Sequence, residues 1–249
     1  MDALTGKAPL LTPADSAIAA GTPAAVLTFD LASDTVRALN AELHQPTAST
    51  YAVRNPRGAH ALAVGVTAPV TVDIYGTAGY YAAGMNDGAT ITIHGTVSTG
   101  VAENMMSGTV RVAGNASQSA GATAHGGLLV IEGSASMRCG ISMKGIDIVV
   151  GGDIGPMSAF MAQAGRLVVC GDAGHGLGDS IYEARLYVRG QVKGDLGADC
   201  VEKEMRAEHL AELAGLLRQA GFPYDPAQFR RYGSARTLYH FHADRSDAY

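Results

Sequence analysis

Three cysteines, eight histidines and a thin scatter of acids are the residues able to carry chemistry in this chain. Cys139, Cys170 and Cys200 lie 31 and 30 residues apart with no Cys-x-x-Cys pair, which excludes the usual zinc-ribbon and iron–sulfur spacings. An odd, sparse count suits inert thiols in a reducing compartment, so a cytoplasmic setting is expected. His240 and His242 alternate near the end, but no third ligand stands near them in sequence; partner contact or a surface position is the better reading. Residues 172–180 read D-A-G-H-G-L-G-D-S and resemble a phosphate loop. Such loops open a helix whose N-terminus faces the anion, and no helical pattern follows here. The acids form no pair that recurs in register, as a carboxylate dyad would require. The residues therefore assign no catalytic group, no metal ligand and no cofactor to this chain.

The positioning elements are far more legible. Gly76, Gly95, Gly114, Gly133, Gly152, Gly171 and Gly190 are spaced 19 residues apart without a slip, the mark of a solenoid. Four residues before each glycine stand Val72, Ile91, Val110, Leu129, Ile148, Leu167 and Leu186; two before stand Ile74, Ile93, Val112, Ile131, Val150, Val169 and Val188. The residue between these columns varies, so each repeat contributes a short strand with one face buried, and the glycine turns the chain. Seven residues past each glycine nothing larger than alanine occurs, which predicts a corner. Ten past, the column is apolar except at Asn86. One coil thus has three inward-facing stretches. The expected fold is all-β: a right-handed parallel single-stranded β-helix of seven or more 19-residue coils, roughly 30 Å tall.

The remaining segments fall into a flexible lead (1–25), an N-terminal α/β cap (26–58) with a strand at 26–31 and a helix at 34–43, the β-helix (59–200), a C-terminal helix (201–221, helical from 202) and a tail (222–249). The lead lacks the basic start and solid apolar core of a secretory signal. A formal net charge of −5 argues against nucleic acid as the main partner, and no run approaches membrane-spanning length. The tail mixes arginines with aromatics, as interface anchors do. Arg231, Tyr232, Arg236, Tyr239 and Phe241 are the expected partner-binding residues; a tail folded back on its own solenoid is the competing reading.

The glycine-marked repeat, with bends such as G-T-A-G-Y-Y-A-A-G from Gly76 and G-D-A-G-H-G-L-G from Gly171, resembles the GXGXG β-helix domain of glutamate synthase large subunits and of formylmethanofuran dehydrogenase-like complexes. T-F-D-L-A from Thr28, N-P-R-G-A-H-A-L-A-V-G from Asn55 and F-R-R-Y-G-S-A-R-T-L-Y-H-F-H-A-D from Phe229 look like the small glutamate-synthase-like subunit of N-methylglutamate synthase. That resemblance implies a scaffold subunit that docks a class II amidotransferase-like subunit and a subunit carrying flavin mononucleotide (FMN) and iron–sulfur clusters. It also implies that the catalytic residues lie in those partners. The alternatives are the β-helix subunit of a formyltransferase/hydrolase complex and an independent β-helix enzyme.

Overall fold

A computed structural model describes residues 25–237. The expected lead, apart from residue 25, and the last part of the tail lie outside that range. Over the described residues the chain winds as a parallel β-solenoid of about seven 19-residue turns, with two α-helices. Its main wall is a sheet whose first nine strands follow chain order and pair in parallel: β1 (Val26–Asp30), β2 (Thr50–Arg54), β3 (Thr71–Tyr75), β4 (Thr90–Ile93), β5 (Thr109–Val112), β6 (Leu128–Ile131), β7 (Lys144–Val150), β8 (Ala164–Val169) and β9 (Arg185–Val188). From β3 onward the register advances by the sequence period: Val72 faces Ile91, Ile91 faces Val110 and Val110 faces Leu129. A second wall is a line of single parallel bridges from Ala78 through Val97, Ala116, Ala135, Ile154 and Ala173 to Val192.

The ladder glycines sit at the bend after each strand. Of the seven, only Gly76 has positive φ (133°). What excludes a side chain at the others is the coil before. Gly114, Gly133, Gly152, Gly171 and Gly190 each donate N–H to the ladder glycine 19 residues earlier at 2.8–3.1 Å, and a Cβ on Gly95 would come within 2.6 Å of the Gly76 carbonyl. In the predicted small-residue column Ala83, Ala102, Gly121, Gly140, Ala159 and Gly178 all have φ between 55° and 68°. Their size is set by the core they face: the three alanines are fully buried, and a Cβ on Gly121 would come within 2.6 Å of Ile148 Cδ1 and one on Gly178 within 2.8 Å of Cys200 Sγ. Asn86, the polar exception in its column, is fully buried and donates to the Ala89 and Ser107 carbonyls at 2.9 and 3.1 Å.

The N-terminal cap is continuous with the solenoid, because β1 and β2 extend the same parallel sheet. Between them α1 (Val36–His44) buries Leu39 and Leu43. It starts two residues later than expected because Thr35 caps it, while the Asp34 carboxylate accepts the Asp30 N–H. Asn40 of α1 stands in for a coil that does not exist. In a regular turn Ala83 N–H donates to Leu62 O; one coil earlier Ala63 N–H donates to Asn40 Oδ1 at 3.0 Å, and Asn40 Nδ2 donates to Ala61 O at 2.8 Å.

The C-terminal end departs further from expectation. Residues 200–203, expected in part as helix, form strand β10 (Cys200–Lys203), and the helix α2 runs only over Ala207–Ala220. After a 3-10 turn at Pro226–Gln228, strand β11 (Arg230–Ser234) inserts between β9 and β10, antiparallel to both. Five of the sixteen described tail residues therefore form an internal strand, folded back on the chain's own solenoid.

Candidate functional site

The outer face of the sheet is the surface on which this fold presents side chains in order. Its central column reads Asp73, Thr92, Arg111, Val130, Val149, Val168, Tyr187. The change from polar to apolar after Arg111 marks where α2 lies. Leu213, Leu216, Leu217 and Ala220 form one buried cluster with Val130, Val149, Val168 and Tyr187, so α2 packs along the solenoid's flank. Fixing a helix on a sheet face also requires its ends to be satisfied. Arg111 Nη2 donates to the Ala220 carbonyl at 2.6 Å at the C-terminus, and His209 Nδ1 accepts the Arg206 N–H at 3.2 Å at the start.

A charged network runs along the helix edge. Arg166 grips Asp147 through Nε and Nη2 at 2.6 and 2.5 Å and reaches Glu212 at 3.1 Å. Arg185 meets the same Glu212 oxygen at 3.0 Å, and Tyr187 donates its hydroxyl to the other at 2.6 Å. Burial lifts the Asp147 carboxyl above its ordinary value, with Arg166 opposing the shift, and lifts the Tyr187 phenol with help from Glu212. An open groove lined by Asp147, Arg166, Glu212, Gly215 and Gln219 follows the network. Asp147 accepts two bonds from Arg166, and Glu212 takes Arg166, Arg185 and Tyr187 as partners. The arrangement holds a helix in place.

The other reactive groups are equally settled. Burial pushes Cys139, Cys170 and Cys200 up to about 12, far from the thiolate range of a nucleophile. Against the expectation that no two acids share a register position, Asp153 and Asp172 follow successive ladder glycines in one column, but each is a rung of a backbone ladder: Asp172, in the glycine-rich stretch, accepts the Gln191 N–H, Asp153 the Asp172 N–H and Asn115 the Ser134 N–H, all at 2.8 Å. In the same stretch Gly176 and Gly178 are left-handed corners. Among the described residues no group of three or more His, Cys, Asp or Glu is arranged to hold a metal, and no helix is long and apolar enough to cross a membrane.

The anticipated interface residues are dispersed. Tyr232 is 2% exposed and packs in the solenoid core. Arg231 donates to the Glu204 carbonyl at 3.0 Å, and Arg236 is exposed and pairs with Glu183 at 2.9 Å. Tyr239 and Phe241 lie outside the described residues. A feature not anticipated is a stack on the half of the outer face that α2 does not cover. The Arg54 guanidinium lies 3.9 Å from the Tyr75 ring centroid, and the Tyr75 and His94 rings are 4.6 Å apart and 7° from parallel. His94 Nε2 is pinned to Asp73 at 2.7 Å. The sequence signal was available: these are outward positions one repeat apart, and stacked coils bring them face to face.

No family model matches the chain. It is 61% identical over 226 residues to Protein GlxC of Rhizobium meliloti (strain 1021), an alignment covering 89% of this chain and 99% of that protein.

Proposed function

The chain belongs to the GlxC family, and from that premise we propose that it is a non-catalytic structural subunit of a glutamate-synthase-like complex. In the narrower form of this reading the complex is an N-methylglutamate synthase, converting L-glutamate and methylamine to N-methyl-L-glutamate and ammonia. The observation that carries the reading is the division of the outer sheet face. The chain's own α2 covers the half beyond Arg111, whereas the half before it presents the ordered Arg54–Tyr75–His94 stack to solvent. Burial of all three thiols adds support. The partners are a class II amidotransferase-like subunit and a flavin mononucleotide/iron–sulfur subunit, and the redox chemistry belongs to the latter.

A rigid spacer between such subunits has a physical purpose. Free ammonia or methylamine is protonated at neutral pH and loses the lone pair that makes it a nucleophile, so a walled path between sites preserves reactivity. Purification of the tagged full chain from its native source tests the assignment. Co-elution with a flavin-containing subunit and an amidotransferase-like subunit is the expected result. A chain that runs alone and turns over a sugar or acyl substrate by itself would overturn it.

A further inference from the structure

On the outer face, the residue before each ladder glycine forms a column: Tyr75, His94, Ala113, Glu132, Gly151, Cys170, Arg189. Its members are one coil apart, because His94 N–H donates to Ile74 O, Ala113 to Ile93, Glu132 to Val112 and Gly151 to Ile131. One step is about 4.8 Å, close to the stacking distance of flat rings. Arg54, Tyr75 and His94 fill the first three levels as a continuous stack.

Three positions in the column are too small to continue it: Ala113, Gly151 and Cys170. The chain itself covers two of them. The Phe222 ring occupies the space in front of Gly151, where a Cβ would come within 2.8 Å of Phe222 Cε1. Tyr224 lies 6.2 Å from Phe222 in a stacked pair and takes the Arg189 guanidinium on its face at 4.0 Å, and Cys170 is buried in the same cluster. Of the three, Ala113 alone is exposed. Its recess is one coil thick. In the column it lies between His94, one coil before, and Glu132, one coil after, and Glu132 pairs with Arg111 at 2.6 Å.

We propose that the Ala113 recess receives an aromatic side chain of a partner polypeptide, stacked on His94 and resting over Arg111, as Phe222 does over Gly151 within this chain. An aromatic ring gains a stacking face from the imidazole and a cation–π face from the guanidinium. An aliphatic group gains neither. The recess is open on its outer side, whereas a small-molecule site buries most of its ligand; a ring delivered by a docked surface needs no deep enclosure. The recess also adjoins the end of α2, through the bond from Arg111 to Ala220 O, so a partner seated there continues an interface the chain already makes.

This inference rests on the proposed role as a complex subunit, and two measurements separate the failure of each. In the first, Ala113→Trp fills the recess from within, with Ala113→Ser as control, and each tagged full chain is purified from its native source. Ala113→Trp is expected to keep the wild-type thermal midpoint and to lose about tenfold in the amount of associated subunits, while Ala113→Ser retains them. Wild-type association by Ala113→Trp overturns the recess and leaves the complex standing. A wild-type chain that runs alone overturns the complex. In the second, the Ala113 methyl resonance, assigned by its loss in Ala113→Ser, is followed while N-acetyl-L-tyrosinamide is titrated into the purified full chain. A ring-current shift of that methyl is the expected result. Absence of any shift at millimolar probe overturns the recess independently of the first measurement. Recovery of a tightly bound planar metabolite with the native chain would overturn the polypeptide occupant.

Discussion

A methyl group added to any ladder glycine after Gly76 meets the backbone of the coil before, which has nowhere to go. At Gly95 the new Cβ would lie 2.6 Å from both the carbon and the oxygen of the Gly76 carbonyl. Gly95→Ala is expected to destabilise the fold by roughly 1–3 kcal/mol in urea denaturation, the range for overpacking a filled site. Gly215 supplies the contrast. It sits inside α2 with nothing within 4 Å of an added Cβ, so Gly215→Ala is expected to stabilise by about 0.5–1 kcal/mol through helix propensity. The period revealed the glycines, but not why they are glycine: a turn conformation and a closely approaching neighbour leave the same letter in the sequence. The thiols carry a second expectation at this scale. With Cys139, Cys170 and Cys200 pushed up to about 12, the native protein should resist iodoacetamide near pH 8, and all three should react once urea unfolds it.

Among the elements, α2 is the one whose attachment should respond to pH. His209 accepts the Arg206 N–H and is 8% exposed, and burial lowers its pKa from the ordinary 6.5. Glu208 and Glu212 on α2 favour the charged ring, while Arg185 of β9 and Arg231 of β11 oppose it. With the folded value below the unfolded one, this contribution is fully present above 6.5 and is lost as pH falls through the folded value. Thermal melts between pH ~7.5 and ~5 should show a drop for wild type that is smaller in His209→Gln, which keeps an acceptor and does not titrate. Glu212→Ala should cost about 2 kcal/mol, because it strips Tyr187 and two arginines of a shared partner; hydrogen exchange along α2 reads the loss. The seven strands β3–β9 were legible because each repeats the same aliphatic columns, whereas β2, which puts Tyr51 in the first of those columns, was not read as a strand. Strand β11 was not: R-R-Y-G-S has no alternation, and its partners Leu186–Val188 and Cys200–Lys203 lie far upstream. The resting place of α2 was half legible, in the switch from Arg111 to Val130 on the outer column. The Ala113 recess was not, since it is defined by where Phe222 and Tyr224 come to lie.

Over the whole molecule, stability is distributed as in other repeat stacks, coil by coil with each coil resting on its neighbours. Truncation before Phe222 removes β11 with its buried Tyr232, and Phe229 just ahead of it. The expected outcome is a lower thermal midpoint with exchange protection lost at β9 and β10 and retained across β3–β7, since few contacts of the early coils reach the C-terminus. Uniform loss of protection would mean that the solenoid melts as one unit.

The strand order β9–β11–β10 also sets a timetable. A polypeptide emerging from the ribosome can wind its parallel coils as they appear, since each needs only what came before. Strand β10 is different: it is synthesised next after β9 yet acquires its neighbour in the sheet only once Arg230–Ser234 has been made. Closure of the distal end is thereby reserved for a chain translated past Ser234, and a product terminated before it keeps a raw edge open to proteolysis. Pulse-labelled nascent chains stopped before residue 226 should be cleaved near β10 by a protease that spares the finished protein.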